Sequence, residues 1–459
     1  MKTAVIAGGA LAIVLVLLAL IAGYRTLNSI EQGKGRAATT SPSTNLATGE
    51  AASEAHPSYL FGRVTMGGGA TYEGRLRWGG DQEAFWDDYF NGFKDENSWA
   101  AHVPPERLPR AEGIEIFGIK IAGGSEGQFL GRPFMARFGD IARIERVDND
   151  VRVTLKSGSV FNLDYSSAND FGDGVRVWDT RQGVLDLGQG DLDFGSRGIR
   201  AIDLLPTTQT GAVPNRLHGT VRTQKGDFTG FVQWNRNEGV GTDELDGRTA
   251  DRVLSLRFDT IRSIRRHSGK SSAVKLLDGR EVVLSGTPEA GDGNLGIYVD
   301  DLRYGRVLIS WDAFERLDFS PGGRGAAYGD FPAGSPLTGS VTTRAGRRLA
   351  GRLIYDLDES ETTETLDASS QGVNYNIPFG LVASIVLPAS EERDAERAKV
   401  TLHSGEVLQL EVDGDLSRGN IGMLVFVDGR KQPEFAHWTE IKEIHFDRPS
   451  AMYPPLEGR

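Results

Sequence analysis

Cysteine is absent from all 459 residues. Its absence excludes disulfides, thiolate metal sites, covalent c-type haem attachment and thiol catalysis, and it is compatible with an oxidising compartment. Histidine is sparse: His56, His102, His218, His267, His403, His437 and His445 stand apart, with none of the close spacings that bring two imidazoles onto one zinc ion. Positive charge is outweighed, 51 Lys and Arg against 63 Asp and Glu, leaving a net charge of −12. Such a surface repels phosphate backbones, so no nucleic-acid partner is expected. The glycine-rich loop with Lys and Ser or Thr that cradles nucleotide phosphates is missing too. Two Asp-Phe-Gly triplets, Asp170 to Gly172 and Asp193 to Gly195, copy the magnesium tripeptide of kinases without its partner loops. No catalytic residue and no cofactor are expected, and the chain reads as non-enzymatic.

Long apolar runs are lacking except for one. Thr3 to Gly23 carries no charge, and at about 1.5 Å per residue it just spans a hydrocarbon core of about 30 Å. Its end, Leu20-Ile21-Ala22-Gly23, offers no small-x-small cleavage site, so residues 1–23 read as an uncleaved anchor rather than a signal peptide. Ala4, Gly8 and Ala12 form a stripe of small residues that would let a second transmembrane helix approach. A short tail, one span and a large body is a signal-anchor layout. It places the protein in a bacterial inner membrane as a single-pass chain with its body in the periplasm. Residues 24–57 are rich in Ala, Thr, Ser, Gly and Glu and read as a flexible tether.

What is abundant is glycine, 59 residues, and it is periodic. Gly62, Gly69, Gly74 and Trp78 recur as Gly219, Gly226, Gly230 and Trp234, and again as Gly339, Gly346, Gly351 and Tyr355. Alternating residues around a glycine turn predict a β-hairpin at the start of each copy, with the Trp or Tyr facing the core. Phe138, Ile141 and Ile144 recur as Phe258, Ile261 and Ile264 and as Phe379, Val382 and Ile385, a spacing of three that predicts a 3₁₀ turn entering a strand. A second hairpin with turns at Gly158, Gly279 and Gly405 follows, then alternating strands from Val175, Ile297 and Met423. The chain is therefore all-β, with three tandem repeats of about 110 residues. The boundaries are 58–206, 216–320 and 336–448, with linkers rich in Pro and Gly between them and a tail at 449–459.

Each half-repeat holds about five short strands with a helical turn before the last, an order that resembles the SH3-like and Sm-like small barrels. The resemblance implies six small barrels in three pairs. Tandem β-sandwiches are the structural alternative. A single span followed by a small β domain is also similar in layout to the photosynthetic reaction-centre H subunit. That likeness implies an accessory subunit of a larger membrane complex, partnered by membrane or envelope proteins.

The first repeat has about 36 more residues between Trp78 and Phe138 than the other copies have in that interval. Insertions on a repeated scaffold often carry function. Glu83, Trp86, Asp87, Asp88, Tyr89, Phe90 and Trp99 lie in it. Rings with interspersed carboxylates suit a protein-binding hot spot or a sugar-stacking platform. A glycan ligand, bound or cleaved by two of these carboxylates, is accordingly the second expectation. The other reading of Phe85, Tyr89 and Phe93, spaced by four, is a helical cap over the end of a barrel. Each repeat also carries a carboxylate pair, Glu83 with Asp88, Glu238 with Asp243 and Glu359 with Glu364. These suit either cation binding or solvated acidic loops.

Overall fold

The structure is a computed structural model that describes residues 55–79, 82–86, 89–94, 97–108, 115–116, 119–120, 132–148, 150–164, 168, 174–179, 181–187, 198–323, 325–388 and 397–452. The predicted anchor, its Ala4, Gly8 and Ala12 stripe, the tether up to residue 54, and Asp87 and Asp88 lie outside these. Among the described residues no helix is long and apolar enough to cross a membrane. Helical structure there is confined to 3₁₀ turns, so the body is all-β.

The first repeat holds β1 (Phe61–Met66), β2 (Thr71–Trp78), β3 (Tyr89–Phe93), β4 (Glu115–Ile116), β5 (Ile119–Lys120), β6 (Pro133–Arg137), β7 (Ile141–Val147), β8 (Asp150–Leu155), β9 (Val160–Asp164), β10 (Val175–Asp179), β11 (Gly183–Leu187) and β12 (Ile199–Leu204). The second holds β13 (His218–Thr223), β14 (Gly226–Gln233), β15 (Glu244–Arg248), β16 (Val253–Arg257), β17 (Ile261–Ser268), β18 (Ser271–Leu276), β19 (Glu281–Ser285), β20 (Ile297–Asp301), β21 (Gly305–Ile309) and β22 (Phe314–Phe319). The third holds β23 (Thr338–Thr343), β24 (Arg348–Tyr355), β25 (Thr365–Ser370), β26 (Val373–Pro378), β27 (Val382–Val386), β28 (Arg397–Leu402), β29 (Val407–Glu411), β30 (Gly422–Phe426), β31 (Glu434–His437) and β32 (Ile441–Phe446).

The strands obey a period of two. In β8, Val151, Val153 and Leu155 point inward while their neighbours face outward. Trp78, Trp234 and Tyr355 are fully buried, as their shared position requires. The 3₁₀ turns fall where the spacing of three puts them, at Phe138–Asp140, Phe258–Thr260 and Phe379–Leu381. The turns of the second hairpins share one left-handed backbone, with φ of +91° at Gly158, +91° at Gly279 and +92° at Gly405.

The six small barrels implied by the resemblance are not formed. The strands build large antiparallel sheets of eight, twelve and eight. The physical reason lies in the closing strand of each repeat. β12 pairs on one side with β1 and on the other with β7, so the two halves of the repeat share it and neither closes alone. β22 and β32 do the same. One order recurs three times: β11-β10-β2-β1-β12-β7-β8-β9, its equivalent from β21 to β19, and its equivalent from β31 to β29.

The twelve-stranded sheet is the second repeat's eight strands with a hairpin added at each end. At one end is its own β15–β16, joined through Arg248 and Ser285. At the other is the third repeat's β25–β26, whose β26 pairs with β21. The second and third repeats thereby share one hydrophobic core. The core of the first is separate, and it takes in Ala326 and Phe331 from the linker between the other two. That linker is a strap: Lys156 Nζ donates to the carbonyls of Tyr328 (2.5 Å) and Phe331 (3.0 Å), and Tyr328 OH donates to the carbonyl of Ile141 (2.8 Å).

Candidate binding cleft between the first and third repeats

The first repeat meets the third through two cations that lie side by side. Lys94 follows β3 and Arg132 precedes β6, and the Lys94 amide donates to the Arg132 carbonyl (2.8 Å). Lys94 Nζ donates to Asp358 Oδ1 (2.6 Å) and Glu364 Oε1 (3.1 Å) and stands 4.9 Å from the centre of the Phe161 ring. Arg132 reaches Asp356 with Nη1 on Oδ2 (2.9 Å) and Nη2 on Oδ1 (3.3 Å).

The receiving loop is conformationally unusual. Asp356 and Leu357 have φ of +49° and +57°, and their counterparts Asn235 and Arg236 in the second repeat have +53° and +69°. Two consecutive left-handed residues make a tight turn between Tyr355 and Glu359, which pair as an antiparallel bridge just as Trp234 and Glu238 do. In the second and third repeats the second carboxylate closes this loop. Asp243 Oδ2 accepts the amides of Gly239 and Val240 (2.9 Å each), and Glu364 Oε2 accepts those of Ser360 (2.6 Å) and Glu361 (3.0 Å). These two shared carboxylates therefore hold backbone.

Asp358, Glu359, Glu364, Asp367 and Asp415 gather behind Lys94 and Arg132 around a hollow of about 330 Å³. Burial raises Asp356 to about 6, against the pull of Arg132, and raises Asp358 and Asp367. Burial lifts Glu359 and Asp415 well above the carboxylate range, with neighbouring carboxylates adding to it. Burial alone would lower Lys94, but Glu364 and Asp358 overcome it and hold the ammonium charged. Among the described residues no group of three His, Asp or Glu is placed to hold a metal ion.

On the other side of Lys94 and Asp358, which line both spaces, lies a half-open cleft of about 370 Å³. Trp99 and Phe161 supply rings, Asn97, Asn162, Ser98 and Ser159 supply neutral hydrogen-bonding groups, and Arg352 and Asp150 supply charge. One wall is an arm of the insert laid across the third repeat. Val103 packs with Ile354, Leu357, Ile421 and Leu424, Trp99 meets the Phe426 edge at 6.0 Å, and Arg107 pairs with Glu440 (2.7 Å). The Arg352 guanidinium lies 5.2 Å from the Trp99 ring centre.

Of the described residues expected to bind, only Trp99 reaches the cleft. Trp86, Tyr89 and Phe90 are 3%, 4% and 0% exposed. Phe90 packs against Trp78 and Phe138, and Tyr89 is covered by the Arg306 guanidinium at 4.7 Å. Glu83 is buried in an ion pair with Arg75 (2.6 Å). The helical cap over Phe85, Tyr89 and Phe93 is replaced by strand β3, with Phe85 buried and Phe93 half exposed. Lys94, Arg132, Arg352, Asn162 and Asp356 escaped the sequence reading. The dense acidic run from Asp356 to Glu364 and the lone cations bounding the insert were the signals available.

No protein-family model matches the chain, and no curated protein matches it. Two solved structures of virginiamycin B lyase from Staphylococcus aureus align with it. The selenomethionine-substituted protein is 9% identical over 67% of this chain and 94% of that one, with a TM-score of 0.11. The catalytically inactive form with quinupristin is 10% identical over 67% and 95%, with a TM-score of 0.10. At those scores the alignments carry no inference about fold or activity.

Proposed function

We propose that this chain is a non-catalytic binding protein, tethered to a membrane by residues 3–23 and serving as an accessory subunit that receives a polar segment of a membrane or envelope partner in the cleft between its first and third repeats. The observation that carries the reading is the lining of that cleft. Two rings stand beside neutral amides, hydroxyls and an exposed guanidinium, while Asp358, Glu364 and Asp356 at its back are engaged by Lys94, Arg132 or backbone amides. Such a surface recognises shape and hydrogen bonds, and its acids are poorly placed for proton transfer. The uncharged run from Thr3 to Gly23 supports the tether.

The test is a gentle-detergent pull-down of the full-length protein beside Asn162→Trp, which fills the mouth of the cleft from an exposed strand position. A stoichiometric membrane partner that is retained by the parent and lost from the variant, with both melting alike, is the expected result. Retention of no protein by either overturns the subunit reading. A second reading, glycan binding in the same cleft, is supported by Trp99 beside Asn97 and Asn162. Glycan-array binding that Asn162→Trp removes would favour it.

A further inference from the structure

The junction between the second and third repeats is a strand addition: β26 lies along β21 with Arg306 opposite Asn376, Val307 opposite Tyr375, Leu308 opposite Asn374 and Ile309 opposite Val373. It seals both strands, leaving Val307 and Ile309 at 0% exposure and Tyr375 and Ile377 at 6% and 0%. The equivalent of β21 in the first repeat is β11, and the equivalent of β26 in the second is β16. Among the described residues β11 pairs only with β10, and β16 only with β15.

The consequence is visible in burial. Leu185 and Leu187, which occupy the positions of Val307 and Ile309, are only partly buried, and Val184 is 55% exposed. Leu254 and Leu256, which occupy the positions of Tyr375 and Ile377, are likewise partly buried, and Val253 is 65% exposed. Among the described residues two complementary edges therefore stand open with apolar inner faces. Open edges of this kind template pairing with another chain unless something covers them.

We propose that β11 of one copy of this chain adds to β16 of a second copy, in the register the chain already uses between β21 and β26. That register sets Val184 opposite Ser255, Leu185 opposite Leu254, Asp186 opposite Val253 and Leu187 opposite Arg252. Leu185 then faces Leu254 on the inner side with Leu187 and Leu256 flanking the pair, and on the outer side Val184 lies diagonal to Val253. Because the two edges differ, the contact is head-to-tail, so copies form a closed ring or an open row. It uses neither the cleft nor its ligand and stands apart from the functional reading above.

The natural absence of cysteine makes the test direct. Full-length Val184→Cys and full-length Ser255→Cys are mixed in mild detergent and oxidised, beside a control mixture of Val184→Cys with Val283→Cys, an exposed position on β19. The expected result is a two-chain disulfide product several-fold more abundant in the first mixture than in the control. Parent chains should also sediment as concentration-dependent multimers, and Val184→Lys, a charge at an exposed edge position, should sediment as a monomer. Equal yields in both mixtures overturn the proposal. So does a Val184→Cys/Ser255→Cys double variant that cross-links within single chains at high dilution, or a monomeric parent whose β11 edge is blocked by a different co-purifying protein.

Discussion

The ring of Phe331, carried by the strap between the second and third repeats, rests on the α-carbon of Gly139 in the first: a β-carbon there would lie 2.5 Å from ring atoms Cγ and Cε1. Phe331 is 2% exposed and belongs to the first repeat's core. Gly139→Ala must push it outward. Overpacking of a closed contact costs about 1–3 kcal/mol, so the melting temperature should fall. Gly329→Ala, whose new carbon would meet nothing within 4 Å, should leave it unchanged. Equal melting of the two variants in a denaturation scan would show that the strap is not anchored there.

Lys94 is the single ammonium shared by Asp358 and Glu364, with all three side chains at least nine-tenths buried. Removing one partner of a buried ion pair costs about 3–5 kcal/mol, chiefly from the charge left behind. Lys94→Met should therefore be strongly destabilising, and Lys94→Met/Asp358→Asn should recover part of the loss. A double-mutant cycle in urea measures the coupling. A coupling energy near zero would mean that the carboxylates shed their charge instead.

The features that were legible in the sequence are those that recur over short spans. Glycine turns, a spacing of three before a strand, and an aromatic closing each second strand are local, and all three copies show them. Pairings between distant segments were not legible. β1 finds β12 across most of a repeat, so half-repeats that look self-contained in order are not self-contained in space. Lys94 and Asp358 are 264 positions apart, and neither carries a local signature of the other. The insert's aromatics misled for a related reason. Trp86 and Phe90 look like surface rings in a charged segment, but together with Ala326 and Phe331 they complete a core that receives residues from outside its own repeat.

Asp356 gives the junction of the first and third repeats a pH dependence whose sign follows from its shift. Burial raises it from 3.8 to about 6, so the folded protein holds this proton more tightly than the unfolded chain. Its contribution to stability is complete below about pH 4 and is lost as pH rises through 6, about 3 kcal/mol at most for a shift of about two units. Asp356→Asn keeps an acceptor for the Ile421 amide and removes the titration. Denaturant midpoints at pH 4.5 and 7.5 should converge in the variant relative to the parent. An unchanged difference between the two pH values would place the titration elsewhere.

Lys156 works in the opposite direction at the strap. Burial lowers it to about 8, although Asp140 opposes the shift, so the folded protein releases this proton before the unfolded chain does. The stability it contributes should rise as pH climbs from about 8 towards the ordinary lysine value of 10.5. The neutral amine still has hydrogens to donate to the carbonyls of Tyr328 and Phe331, so the strap should stay docked through the titration. Lys156→Met should flatten the stability profile above pH 8 and loosen the strap at every pH, because both donated hydrogen bonds are gone. Hydrogen exchange of the strap amides separates the two effects. Faster exchange in Lys156→Met, with parent amides equally protected at pH 8 and 10 after correction for intrinsic rates, is expected. Loss of protection in the parent at pH 10 would mean that the charge, rather than the hydrogen bonds, holds the strap.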